Sequence, residues 1–192
     1  MDEMLYSNRS SAPHIQANVK GATLKNWGVL IFGRRNEIDR DLDGFIRTLC
    51  QTADDKGMQI SQRNPMKQYV DTNWTTDEVA RRLQTEIMPA FNRRGHIDLL
   101  VTVTPSRASI VYAPIKRYCD TVAGIASQCV VKFNVRRKSQ DRGFAFNMLM
   151  KINSKLGGIN VTLREMPPIV RSGTVWSPSQ SLPDSRYSLG RM

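Results

Sequence analysis

Tyr112 and Lys116 stand four residues apart in Tyr112-Ala113-Pro114-Ile115-Lys116-Arg117, so on a helix they share one face. Pro114 is tolerated only in a first turn. Both side chains therefore fall near a helix N-terminus, where free N–H groups and the helix dipole favour an anion. Lys151 and Lys155 repeat the i, i+4 spacing just before Gly157-Gly158. Between the pairs lies Gln128-Cys129, an amide donor beside a small thiol. One aromatic ring, two or three ammonium groups and an amide suit a terminal phosphate of charge about −2 with a base stacked above it. Taken singly, the first pair is better explained by a tyrosine in the core and a lysine in solvent, and the second pair also reads as solvated lysines.

The charge distribution points the same way. The chain has 192 residues, with 28 Lys and Arg against 17 Asp and Glu, a net charge of +11. Residues 1–100 carry 14 basic and 13 acidic side chains, whereas 101–192 carry 14 basic and 4 acidic (Asp120, Asp141, Glu165 and Asp184). A field of one sign concentrates anions such as phosphate polymers or anionic membranes; the plainer reading is a solubility device. At 40% hydrophobic residues the chain is rich enough in apolar side chains for one domain with a real core.

The elements that must position these residues alternate in a βαβ pattern, which argues for an α/β domain around a mostly parallel sheet of about four strands flanked by helices. Strands are expected at 29–32, 58–60, 97–103 and 128–133, with 61–74 irregular. Helices are expected at 37–56, from a Thr75 or Thr76 cap to Pro89–Gly95, at about 111–127 and at 144–156. Residues 1–24 and 166–192 are polar or rich in Pro and Ser and are expected to be a flexible segment and a flexible tail around a domain at 25–165. In open α/β sheets ligands bind beyond the carboxyl ends of the strands, and the basic half supplies two of those ends.

Other chemistries find little support. There is no GxGxxG or GxxxxGK[ST] phosphate loop, no GxSxG or HExxH, and the basic half has few carboxylates for a two-metal site. Cys50, Cys119 and Cys129 form no CxxC, and with His14 and His96 they make no zinc set. No cofactor or metal is expected. No apolar run suits a membrane span or a signal peptide, so the chain is expected to be cytoplasmic, off membranes and monomeric. A small α/β phosphohydrolase or nucleotide-binding enzyme is the alternative reading, and a basic protein-interaction or membrane-surface module a third.

The stretches Val111-Tyr112-Ala113-Pro114-Ile115-Lys116-Arg117, 120–130 (DTVAGIASQCV) and 151–160 (KINSKLGGIN) strongly resemble the MID domain of eukaryotic Argonaute proteins, most like a fungal member of the RNA-silencing machinery. The resemblance is close over 97–163 and looser before it. It implies a Rossmann-like domain that anchors the 5′-phosphorylated end of a small guide RNA in RNA interference or quelling. By that resemblance Tyr112 stacks on the 5′ base, Lys116, Gln128 and Lys151 hold the 5′ phosphate, Cys129 lies beside them and Lys155 supports. Thr104, Pro105, Ser106, Arg107, Ala108, Ser109 and Ile110 correspond to the base-specificity loop, and depart from its usual Pro-Gly-Lys-Thr-Pro pattern. Asn134 matches a position implied to touch the next backbone phosphates. The implied partners are guide RNA, silencing-complex proteins and a PIWI domain, which carries the slicing carboxylates and whose pattern 167–192 lacks. A domain of this kind binds and does not cut.

Overall fold

The computed structural model describes residues 20–70, 72–93, 95–106 and 109–160. Two strands form its centre, β2 (Trp27–Phe32) and β5 (Leu99–Thr104), and all twelve of their residues are buried. Such runs are apolar on both faces because helices cover both faces. With β4 (Met66–Val70) and β6 (Ala126–Val131) they make a four-stranded parallel sheet in the order β4-β2-β5-β6. The fold expected from the sequence, a mostly parallel Rossmann-like sheet flanked by helices, is present.

Alternate residues of the strands feed two cores, as the two-residue period of a strand requires. Val29, Ile31, Val101 and Val103 face α1 (Arg35–Asp55), α5 (Lys132–Arg137) and α6 (Arg142–Lys155), and pack on Leu42, Phe45, Leu49 and Leu149. Leu30, Phe32 and Leu100 face the other layer, made of α2 (Thr76–Arg82), α3 (Met88–Asn92) and α4 (Tyr112–Tyr118), through Val79, Leu83, Phe91 and Ile115. Gly28 allows the close approach there: a Cβ at that position would sit 2.6 Å from the Phe91 ring.

Several boundaries differ from the sequence expectation. The expected strand at 58–60 is real but lies elsewhere: β3 (Gln59–Ile60) pairs with β1 (Thr23–Leu24) in a separate two-stranded sheet. The second member of the main sheet is β4, inside the stretch read as irregular. Its five residues are all half-buried, because it is an edge strand whose Lys67 and Tyr69 bond carboxylates of α1 instead of filling a core. It therefore has no apolar run to read. Thr75 does cap α2, through a reciprocal box with Glu78. The helix then passes Pro89 by a wide turn, Leu83–Ile87, before α3; such turns accommodate a residue that lacks an N–H donor.

The helix expected at about 111–127 is shorter. A wide turn, Cys119–Ala123, follows α4, and Gly124 at φ 61 ends it, a conformation natural to glycine. β6 consequently starts at Ala126 and stops at Val131, and Lys132–Arg137, expected as strand end and loop, is helical. Lys20 bridges to Ile159, and the buried Asn153 accepts from Ala22 N at 2.7 Å, so residues 20–24 are tied to the end of α6. Residues 1–19 and the expected tail at 166–192 lie outside the described residues.

Candidate anion-binding site at the edge of β6

β6 is the last strand on its side of the sheet, so alternate backbone groups along its outer side need partners other than a strand. At Ser127 lysines supply them. Lys116, from α4 in one helical layer, donates to Ser127 O at 2.8 Å and to Ser127 Oγ at 2.9 Å. Lys155, at the end of α6 in the other layer, donates to the same carbonyl at 2.6 Å and to Gln128 Oε1 at 2.7 Å. The two side chains thus reach around the sheet edge from its opposite faces and meet on one oxygen.

Two ammonium groups sharing one acceptor repel each other. Partial burial, followed by the neighbouring Lys116 charge, pushes the Lys155 pKa down to about 8. Neither lysine makes an ion pair with a carboxylate among the described residues. Each ammonium has three donors and spends two, which leaves one N–H apiece for an anion. Cys129 lies in the field of both lysines, which counteract the upward push of burial on its thiol.

The other expected residues fall around this centre at different distances. Tyr112 opens α4 one turn before Lys116 and is 48% exposed, so it is not a core tyrosine. Lys151 is exposed one turn before Lys155 on α6. Gln128 is buried and its Nε2 donates one of its two hydrogens to Cys129 O at 3.0 Å. Thr104 ends β5, buried, and its hydroxyl donates to Ser106 O at 3.2 Å. Pro105, Ser106, Ser109 and the exposed Ile110 carry the loop toward Tyr112, while Arg107 and Ala108 lie outside the described residues. Asn134 belongs to α5, beyond the carboxyl end of β6 and apart from the lysine pair.

This lysine cluster lies along the outer edge of β6, at its second and third residues, and not beyond the carboxyl ends of the strands. The carboxyl ends carry cavities of their own. One of 770 Å³ is lined by Gly33, Arg34, Arg35, Glu37, Tyr69 and neighbours; there Glu37 is engaged by Lys132 and Arg35 by Asp39. A second of 540 Å³ is lined by Asp41, Pro105, Lys132, Phe133, Arg136 and Arg137. Sequence reasoning missed Ser127, which it placed at a helix end. No residue type signals it, because its contacts to both lysines run through a backbone carbonyl. Among the described residues no group of three His, Cys, Asp or Glu is placed to hold a metal ion.

The parallel α/β domain has known relatives. The family model for the Mid domain of argonaute matches residues 18–86, and that for the Piwi domain matches 99–175, starting in β5. The argonaute protein of Schizosaccharomyces pombe is 26% identical over 165 residues, covering 82% of this chain and 19% of that protein. The chain thus spans about a fifth of that relative's length. The Arabidopsis thaliana AGO5 MID domain is 28% identical over 77% of this chain and 99% of its own, with a TM-score of 0.59. A Kluyveromyces polysporus Argonaute with a guide RNA shares the fold at 17% identity and a TM-score of 0.53, over 75% of this chain and 16% of its own. The chain belongs to the Argonaute family, and its described residues form a MID domain.

Proposed function

We propose that this domain binds the 5′-phosphorylated terminal nucleotide of a small guide RNA and anchors the guide within an Argonaute. The observation that carries this reading is the convergence of Lys116 and Lys155 on Ser127 O without a carboxylate partner among the described residues. A terminal phosphate supplies the missing negative charge and accepts the two spare N–H donors. Tyr112, exposed one turn away, offers its ring to the first base. Lys151 closes the phosphate from the solvent side, and the 104–110 loop borders the base. A solved relative that contains a guide RNA supports the choice of ligand.

The same reading makes the chain a binding module and not an enzyme. Cutting belongs to a PIWI domain, which is its proposed intramolecular partner, with silencing-complex proteins beyond it, in the cytoplasm. Calorimetric titration with uridine 5′-monophosphate and with uridine tests the proposal. Binding that needs the phosphate is expected, and equal affinity for the two ligands overturns it. Uridine 5′-monophosphate is expected to survive prolonged incubation with the purified chain; its turnover revives the phosphohydrolase reading.

A further inference from the structure

Ser127 makes more contacts to the lysine pair than any residue singled out from the sequence. It is 1% exposed, its carbonyl accepts from both ammonium groups, and its hydroxyl accepts a second bond from Lys116. The fully buried Cys119 thiol lies beside it: burial pushes the pKa of that thiol up to about 11, and the Ser127 hydroxyl counteracts the push. Lys116 is a flexible four-carbon chain that would otherwise move away from a like charge. Two acceptors on one buried residue hold it in place.

We propose that Ser127 is the positioning residue of the phosphate site: its hydroxyl, together with its carbonyl, aims the one remaining N–H of Lys116 alongside that of Lys155. This rests on the phosphate-binding reading above. The backbone carbonyl survives any substitution, so the contribution open to test is the hydroxyl's. A site whose donors are fixed before the ligand arrives binds more tightly than one that must order them on binding. Ser127 touches no ligand atom in this account; it acts through Lys116.

The test uses the whole chain in two forms, Ser127→Ala and Ser127→Cys. The second keeps nearly the side-chain volume and replaces a good acceptor by a poor one. Both variants are expected to bind uridine 5′-monophosphate about 5- to 10-fold more weakly, less than the full loss of a hydrogen bond to a charged group because the carbonyl still holds Lys116, with uridine binding unchanged. Ser127→Cys binding within twofold of wild type overturns the proposal, because volume and not the acceptor is then what matters. A second readout follows the Lys155 titration by NMR of lysine side chains. Held by the carbonyl alone, Lys116 is freer to move from Lys155, so the Lys155 midpoint is expected to rise above about 8, with partial burial still keeping it below an ordinary lysine value. A midpoint unchanged in both variants overturns the proposal even if affinity falls, since the two ammonium groups then sit as close as in the wild type. If wild type fails to prefer the phosphorylated ligand, the phosphate reading has failed, and the NMR titration still decides whether Ser127 holds Lys116.

Discussion

The basic residues of the second half of the chain fall into two regions that behave in opposite ways. Where α5 and α6 face α1, the cations meet acids: Lys132 pairs with Glu37, Arg136 with Asp41 at 3.9 Å, and Arg142 with Asp55. At the outer edge of β6, Lys116 and Lys155 meet each other and a neutral carbonyl. The charge asymmetry along the sequence is thus partly cancelled in space, because the acidic α1 from the first half packs under the basic helices of the second. A paired surface cation contributes to holding two helices together, usually weakly. Two cations without an ion-pair partner among the described residues favour an anion between them, and that is why we propose the edge of β6 as the binding site.

Substitutions in each region should separate these roles, the largest effect first. Lys116→Ala is expected to cost about 1.5–3 kcal/mol of nucleotide binding, roughly 10- to 100-fold, as for other charged hydrogen bonds. Its melting temperature should not fall, since one of two repelling charges is gone; a clear loss of stability would mean that the lysine is a structural pin. Tyr112→Ala should cost about 1–3 kcal/mol if the base stacks on it, and affinity within twofold of wild type removes the stacking role.

A smaller, graded effect comes from pH. Lys155 is charged below its folded value of about 8 and must take up a proton to serve a phosphate above it. Bound phosphate favours the charged form and raises that value. Affinity is therefore expected to be full near pH 7 and to fall as pH rises through 8, by about tenfold at pH 9 if the bound lysine returns to an ordinary value. A flat profile from pH 7 to 9 by calorimetry would show that Lys155 is not part of the site. Lys151→Ala, which removes an exposed lysine one turn away, should weaken binding by about two- to fivefold, as for a screened charge. The smallest binding effect belongs to the other region: Lys132→Ala and Arg136→Ala should leave nucleotide affinity within about twofold and lower the thermal midpoint. A larger loss of binding there would erase the distinction between paired and unpaired cations.

Much of the fold was readable, for reasons specific to particular elements. β2 and β5 are buried on both faces and so carry unbroken apolar runs, and α1 shows its inward face as Ile38, Leu42, Phe45 and Leu49 at helical spacing. β4 escaped because an edge strand that bonds Asp39 through Lys67 and Tyr69 has no apolar pattern. The ends of α4 and β6 were misplaced because Gly124 and the wide turn before it act through backbone geometry that residue type alone does not reveal. Among the candidate site residues, Lys116, Gln128 and Lys155 are brought into one hydrogen-bonded cluster. Tyr112 and Lys151 flank it, and Asn134 stands apart on α5.

The sequence by itself determined the class of fold, the excess of positive charge and the helical spacing that puts Tyr112 with Lys116 and Lys151 with Lys155 on shared faces. Those are consequences of local periodicity and of counting charges. Which cations lack an ion-pair partner among the described residues was decided by tertiary structure alone, because it depends on which acids α1 brings underneath and on two helices from opposite layers meeting at one sheet edge. Ser127 became visible only there, since a carbonyl oxygen has no signature in the sequence and gains its role from the two side chains that fold onto it.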